Sequence, residues 1–409
     1  LESIIINLSN IEQTVATETV NRNGLITLQT KSGADYFDLL VEKYHYNSAT
    51  HSNFINLKKD LIAGEIVTNE KSGETLRFLN SNNINELIDK LSFDLSLFET
   101  AYIQVNWNID RTKIVEFDFL DRTCVTPIES DEYGKVSRYA VTEKSLKKGY
   151  NKNKFKKYTT YPAFSTKGSQ DENGEEEYTQ ILEIRRYSPG NPYITIPSYN
   201  SILNYVDIEK ELSTFHLASI SNGFFSSAII NVYGSPSEEQ KKWFKDQFLN
   251  SFTGSHNTSK VVFNYSADEY RVEILPVQAN NNPDLFQHLT DTTISKISTG
   301  HRSSQELAGI STKGSDLGGD ANKLFIAYNL FKNNVTNSLQ KLLIDGINKI
   351  LSVNGLGTID LKTELPIQLY PETLLQNLTQ DERREMLFGL PPVPVSNQNN
   401  QPTTEQPTA

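Results

Sequence analysis

From Ala321 to Leu351 apolar side chains return at helical spacing without a break. Leu324, Phe325, Tyr328, Phe331, Val335, Leu339, Leu342 and Ile347 form one stripe, the mark of a helix with a single buried face. At about 1.5 Å per residue that helix is roughly 45 Å long. Gly355 and Gly357 close it.

The elements before it follow from local signals. Ser3 to Leu8 and Gly24 to Thr30 carry β-branched residues around an asparagine-rich turn, Asn21 to Gly24, and read as strands. Helices are expected over 34–46 and 48–63, the second with Phe54, Leu57 and Leu61 in phase and Gly64 as its stop. Another runs from Asn83 to Glu99, capped by Asn82 or Asn83. Residues 101–142 switch to period two, with Glu132–Gly134 as a hairpin turn. Residues 144–177 segregate charge: seven lysines between Lys144 and Lys157, then Asp171, Glu172, Glu175, Glu176 and Glu177. Such a run is expected to be a solvated loop, the alternative being a surface that faces DNA or a shell.

A strand at Ile181–Tyr187 precedes a helix over 198–222 that Gly223 ends. Strands at Ala228–Val232 and Lys260–Asn264 flank a helix Ser237–Phe248, and a strand at Tyr270–Leu275 follows. Asn282-Pro283 opens the next helix with proline at its first position, and the helix breaks near Gly300. Residues 309–320 are a glycine-rich loop. Beyond the long helix come a strand at Leu361–Tyr370, a helix containing Asp381–Arg384, and a Pro/Gln/Asn/Thr-rich tail after Pro391 that is expected to be disordered. The whole is an α+β chain.

Composition narrows the function classes. The 409 residues suffice for one large core or two to three smaller ones. Only 37% are hydrophobic, which suits subunits that bury surface in an assembly. The net charge is -11, whereas a protein that grips DNA by neutralising phosphates is basic at least locally. An acidic chain near DNA offers a surface for DNA to slide past; the plainer reading is solubility. With one cysteine, Cys124, no intrachain disulfide forms, and a reducing compartment fits. No stretch approaches the roughly 20 apolar residues of a membrane span. The N-terminus lacks a basic-then-apolar signal pattern, and a chain opening at Leu1 is expected to have lost a short leader.

Catalytic constellations are missing from the sequence. Gly309 and Gly314 have the offset of a phosphate-cradling loop, but Ser315 stands where its lysine belongs and Lys313 precedes the second glycine. The histidines His45, His51, His216, His256, His288 and His301 are scattered and form no His-x-x-x-His pair. No Gly-x-Ser-x-Gly elbow occurs. No catalytic residue, metal ligand or cofactor is expected, and the chain reads as a structural or binding protein.

Seven segments, taken in order, resemble the portal family of tailed double-stranded DNA phages. They are Leu97-Phe98-Glu99-Thr100-Ala101-Tyr102-Ile103, where the family has a glycine before Ala-Tyr; Ile114-Val115-Glu116-Phe117-Asp118-Phe119-Leu120; and the helix 198–222 ending in Asn222-Gly223-Phe224-Phe225. Ser237-Glu238-Glu239-Gln240 and Gly254-Ser255-His256-Asn257-Thr258-Ser259-Lys260 follow. The last two are His301 to Ile310, with Ser303 and Ser304 where the family often has prolines, and Leu378-Thr379-Gln380-Asp381-Glu382-Arg383-Arg384 with Gly389-Leu390-Pro391-Pro392. The likeness covers about three-quarters of the chain; the first 80 residues match no motif.

The resemblance implies a portal fold assembled as a ring, expected to be a dodecamer. Residues 1–197 would form an α/β wing with the charged insertion 144–177, residues 198–223 and 283–306 a two-helix stem, and residues 224–282 a small α/β clip. Residues 307–320 would be a channel loop, 321–351 the long wing helix, 352–390 a C-terminal strand and helix, and 391–409 a tail. Tyr205, Phe215, His288 and Ile294 are the candidate stem residues. Glu238, Lys241, Lys242 and Trp243 are the candidate docking face for motor and adaptor, although a tryptophan on a helix is more often core. Ser311, Thr312, Lys313, Gly314, Ser315 and Asp316 are the candidate channel loop. The clip is too small for an independent core, so its strands are expected to pair with neighbouring subunits. From Pro283 to Asp320, Lys296, Arg302 and Lys313 face Asp284, Asp291, Glu306, Asp316 and Asp320, a net negative wall that would not hold DNA tightly. The implied partners are further copies of the chain, double-stranded DNA, the major capsid protein, the large terminase and a neck/tail adaptor, with no membrane. The implied location is a capsid vertex of the virion, after assembly in the bacterial host cytoplasm. The competing readings are another phage neck or adaptor component and an enzyme acting on nucleic acid.

Overall fold

The computed structural model describes residues 16–20, 24–30, 33–68, 73–128, 135–142, 158–166, 169–170, 176–221, 228–233, 237–243, 261–266, 272–276, 283–310, 321–363 and 377–388. Strands β1 (Ala16–Val20) and β2 (Ile26–Thr30) pair antiparallel, Val20 opposite Ile26. The expected strand at Gly24–Thr30 is present, while Ser3–Leu8 lies outside the described residues. Asp35 caps α1 (Tyr36–Glu42), its carboxylate accepting the Phe37 and Asp38 N–H groups at 2.9 and 3.1 Å. A π-helical turn, Lys43–Asn47, joins α1 to α2 (Ala49–Ala63), where the Ser48 hydroxyl accepts the His51 N–H. Both expected helices are there; the π turn between them carries no sequence signal.

Two elements are unforeseen: β3 (Glu65–Thr68) and α3 (Gly73–Ser81). Helix α4 (Ile84–Leu97) follows as expected, but neither asparagine caps it with its side chain. Asn83 supplies a left-handed turn at φ 49, and the Asn82 amide instead bridges Phe78 O and the Phe117 N–H. Strands β4 (Thr100–Trp107) and β5 (Ile114–Leu120) pair antiparallel with Val105 opposite Phe117. A 3-10 turn, Arg122–Cys124, leads to a second sheet of β6 (Val125–Pro127), β7 (Arg138–Thr142) and β8 (Tyr158–Pro162), in that order. A short hairpin, β9 (Ser169–Gln170) and β10 (Glu176–Glu177), precedes β11 (Thr179–Arg185). Strand β11 pairs with the other side of β4, so the central sheet runs β11–β4–β5. The charged run 144–177, expected as loop throughout, is therefore partly strand. The turn Glu132–Gly134 and residues 143–157 lie outside the described residues.

After a 3-10 turn, Asn200–Ile202, comes α5 (Leu203–Ser221). Strands β12 (Ala228–Tyr233), β13 (Val261–Ser266) and β14 (Val272–Pro276) form a sheet of their own in the order β13–β12–β14, with β13 parallel to β12. Helix α6 (Pro283–Gly300) returns. The long helix is interrupted where the sequence pattern shows no break: α7 (Ala321–Phe331) and α8 (Asn337–Val353) flank a π turn, Lys332–Thr336. Such a turn shifts the helical phase. It moves the buried stripe from Tyr328, Phe331 and Val335 to Leu339, Leu343, Ile347 and Ile350, leaving the expected Leu342 only partly buried. Strand β15 (Ile359–Lys362) pairs antiparallel with β3 across nearly the whole chain, and α9 (Gln380–Phe388) is the last element. The described strand stops at Lys362; residues 364–376 lie outside the described residues.

The main core lies where α4 and α8 cover the central sheet. Leu87, Leu91 and Leu95 meet Ile103 and Val105 from one helix, Leu343 and Ile347 from the other. Each large side chain withdrawn there is worth about 1.5–3 kcal/mol. Helix α8 lies so close to β11 that a Cβ on Gly346 would sit 2.6 Å from Ile184 Cδ1. A second cluster joins Leu28, Phe37, Leu40, Phe54 and Ile55 to Leu203, Val206 and Ile297, which anchors one end of the α5–α6 pair in the body of the fold.

Candidate stem, docking face and the junction beneath them

Helices α5 and α6 run antiparallel: Ile202 touches Gly300 at one end, and Phe215 stacks on Phe286 further along, ring centroids 4.9 Å apart. A Cβ on Gly300 would fall 2.3 Å from Ile202 Cγ2, so only glycine lets the two approach this closely. Burial fades along the pair. Leu203, Val206 and Ile297 are fully buried, whereas Phe215 is 46% exposed, Leu217 67% and Ile220 65%. Of the candidate stem residues, Tyr205 and Ile294 are half-buried and His288 is exposed. The four are strung along the pair and do not converge on one site.

The second helix ends at Gly300, where the sequence places its break and short of the residue 306 that the resemblance implies for the stem. Arg302 adopts φ 58 and the Ser303 N–H donates to Ser298 O at 3.1 Å. A proline at 303 would have no N–H for that bond.

The base of the pair is held by polar groups that no spacing rule singles out. Asp207 of α5 accepts from Lys43 and from Asn47, the latter at 3.0 Å. Glu209 accepts from the hydroxyls of Ser48 and Thr50. Deeper in, His51 Nδ1 and His301 Nε2 lie 2.9 Å apart. His301 also stacks on Phe54 and lies against Tyr199, at 5.4 and 5.1 Å between centroids. Burial first, then the Lys58 charge, holds both imidazoles well below their ordinary value, His51 at about 3. Lys58, itself buried, places its ammonium 5.4 Å from the Tyr199 ring centre. Burial lowers its pKa, and the Glu99 carboxylate opposes that shift.

Glu99 is also the hinge of the helix-to-strand passage. It sits at φ 52, one residue ahead of Thr100, where the family carries glycine. A non-glycine residue there costs about 1–2 kcal/mol. Arg186 Nη1 at 3.1 Å and the Ser198 hydroxyl at 2.5 Å hold its carboxylate.

The candidate docking residues sit on a helical turn, 238–243. Ser237 and Gln240 cap it reciprocally: the Gln240 N–H donates to Ser237 Oγ at 3.3 Å and the Ser237 N–H to Gln240 Oε1 at 2.9 Å. Lys241 pairs with Glu238 at 2.5 Å, and Lys242 is exposed. Trp243, expected as core on its residue type, is 59% exposed. The neighbouring strands do not wait for another subunit to pair, since they form the three-stranded sheet within one chain and leave β13 and β14 as its outer strands. Ser311 to Asp316 lie outside the described residues. Among the described residues, no group of three or more His, Cys, Asp or Glu side chains could hold a metal ion, and no helix is long and apolar enough to cross a membrane.

No protein-family model and no curated protein matches the chain. Solved structures do. A chain from the virion of a native gene transfer agent (GTA) particle superposes with a TM-score of 0.54 at 15% identity, over 88% of this chain and 95% of that one. The two share a fold. A chain from the neck of the native GTA particle, computed with C12 symmetry, gives 0.51 at 15% identity over 87% of this chain and 94% of its own. An HK97-family phage portal protein from Corynebacterium diphtheriae is more remote, with a TM-score of 0.44 at 8% identity over 81% and 95%. The mixed helix-and-sheet architecture expected from the sequence is thus the one this chain shares with the GTA particle chain.

Proposed function

We propose that the chain is a portal subunit: a non-enzymatic structural protein that forms a ring at one capsid vertex, through which double-stranded DNA is packaged and ejected. The observation that carries this reading is the fading burial along α5 and α6. One end is rooted in the core, the other exposes Phe215, Leu217 and Ile220, and the small sheet lies between the two helices in sequence. An apolar helix end left uncovered within one chain suits a pair that other copies cover in a ring. The ordered motif resemblance and the shared fold support the reading, and the twelvefold symmetry of the GTA neck supports a dodecamer. In this ring residues 198–223 and 283–306 are the stem and 224–282 the clip. The turn with Glu238, Lys241, Lys242 and Trp243 faces the large terminase and later the neck/tail adaptor, while the wing meets the major capsid protein. Another neck or adaptor component is the second reading, favoured by the neck likeness alone.

Twelve copies of 46.2 kDa have a mass of about 554 kDa. Mass photometry of the purified protein is expected to show a species near that mass. Monomer at every concentration and salt level rejects the ring. Within the ring, Ser311 to Asp316 form the channel loop. Deleting residues 311–318 is expected to leave ring assembly intact and to impair DNA packaging or retention; normally filled particles from that mutant reject the loop assignment.

A further inference from the structure

Helix α8 and the antiparallel pair β3 and β15 line a groove of about 510 Å³, within the usual range of ligand sites. Three lysines from three elements line it: Lys332 from the π turn, Lys341 from α8 and Lys362 from β15. The π turn is what brings the first two together. Lys332 and Lys341 are nine positions apart, and at about 100° per residue such side chains point in opposite directions on an uninterrupted helix. The extra residue taken up by the turn Lys332–Thr336 rotates α8 back, so that both lysines line the same groove.

None of the three lysines forms an ion pair among the described residues. Asp360 also lines the groove and Glu65 stands opposite Lys362 in the ladder, but neither pairs with them; Asp360 Oδ1 accepts the Leu361 N–H at 2.8 Å. In a chain of net charge -11, three ammonium groups around one groove mark a surface for an anion.

Two further features decide which anion. Gln340 is 7% exposed, and its Nε2 donates to Ile62 O and to Thr363 Oγ1, both at 3.2 Å. Those bonds fix the amide. Its Oε1, which accepts nothing among the described residues, is the atom left to the groove, and an acceptor there calls for an N–H. Val67, Ile344 and Leu361 add an apolar floor. A nucleic-acid backbone brings phosphates but neither an N–H nor an aliphatic side chain. An extended peptide brings carboxylates, backbone N–H groups and aliphatic side chains at once.

We propose that this groove binds an extended acidic peptide of a partner protein. Its carboxylates pair with Lys332, Lys341 and Lys362, a backbone N–H donates to Gln340 Oε1, and an aliphatic side chain rests on Val67, Ile344 and Leu361. Exposed ion pairs are individually weak, so the lysines act together and the binding falls with salt. It does not depend on the ring reading.

Fluorescence anisotropy of a short labelled peptide of alternating glutamate and leucine reports binding to the full-length protein. Saturable binding is expected at low salt, and its absence overturns the proposal. Lys341→Gln/Lys362→Gln is expected to weaken binding about tenfold. Both side chains are exposed, so the melting curve should not move. Equal affinity for that variant overturns the proposal, as does equal binding of a peptide of glutamine and leucine. The part of Gln340 is tested without touching the protein. A fully N-methylated form of the acidic peptide has no backbone N–H to give and is expected to bind more weakly; undiminished affinity rules out recognition of the peptide backbone, and the proposal with it. A labelled DNA duplex that binds more tightly than the peptide, and loses that affinity in the lysine variant, assigns the groove to nucleic acid and overturns the proposal as well.

Discussion

Neutral imidazole is the form in which His51 and His301 share a proton at 2.9 Å without placing charge in the core. In the unfolded chain both take up a proton near pH 6.5. In the fold they resist it, His51 down to about 3, because burial and the Lys58 and Lys43 charges oppose a cation there. A group whose folded pKa is lowered favours folding above its unfolded value and loses that advantage as pH falls. The pair therefore makes the protein less stable from about pH 6.5 downward. Asp94, Glu183 and Asp35 act in the opposite direction, since burial raises their folded values and they bind protons more readily in the fold. The difference between variants isolates the histidines. Between pH 7 and pH 4.5 the native protein is expected to lose about 2 kcal/mol relative to His51→Gln, read from urea midpoints at each pH. Parallel pH profiles would show that His51 titrates freely. His51 and His301 stand 250 positions apart, and nothing local marks either as the partner of the other. Glu99 is similar: the sequence shows a departure from glycine at Thr100, while the left-handed residue is its neighbour, held by Arg186 and Ser198.

Strand β5 shows what an element needs beyond its own pattern. The β-branched and aromatic residues Ile114, Val115, Phe117 and Phe119 make it readable as a strand, but its position as the outer strand of the central sheet is not readable. An outer strand invites pairing with another chain. Here side chains block the outward groups: the Ile114 N–H donates to Asn354 at 2.7 Å, the Phe117 N–H to Asn82 at 2.9 Å and the Phe119 N–H to Asp118 at 2.7 Å. Asn354 also donates back to Ile114 O at 2.8 Å, as a neighbouring strand would. Asn354→Ala is expected to cost about 1–2 kcal/mol in a urea melt and to raise light scattering on warming. An unchanged melt and unchanged scattering would mean the cap is idle. The π turns at Lys43–Asn47 and Lys332–Thr336 follow the same logic, because an extra residue in one turn leaves composition and periodicity almost untouched while rotating everything after it.

At the scale of the molecule the α5–α6 pair is the part a single chain leaves unfinished. Leu217 and Ile220 lie on α5 beyond the anchored base, and neither is buried within one chain. Leu217→Asp and Ile220→Asp are expected to shift the melting transition of the monomer by no more than about 0.5 kcal/mol. The same substitutions should strongly reduce the population near the ring mass. Unimpaired rings from the double variant would place the contact between copies elsewhere. Trp243 makes the same point on the insert, since this large aromatic side chain stands 59% exposed within one chain.

The order and type of most elements were already determined by the sequence: the helices at 49–63, 84–97, 203–221, 283–300 and 380–388, strands such as β2, β4, β5 and β11, and the stops at Gly64 and Gly300. Those signals are local, arising from periodicity, backbone freedom at glycine and capping within a few residues. The tertiary structure alone decided that β15 closes on β3, that His301 reaches His51 and that Gly300 admits Ile202. Each of those depends on two stretches far apart in the chain meeting in space, and the side chains on either stretch carry no record of the distance between them.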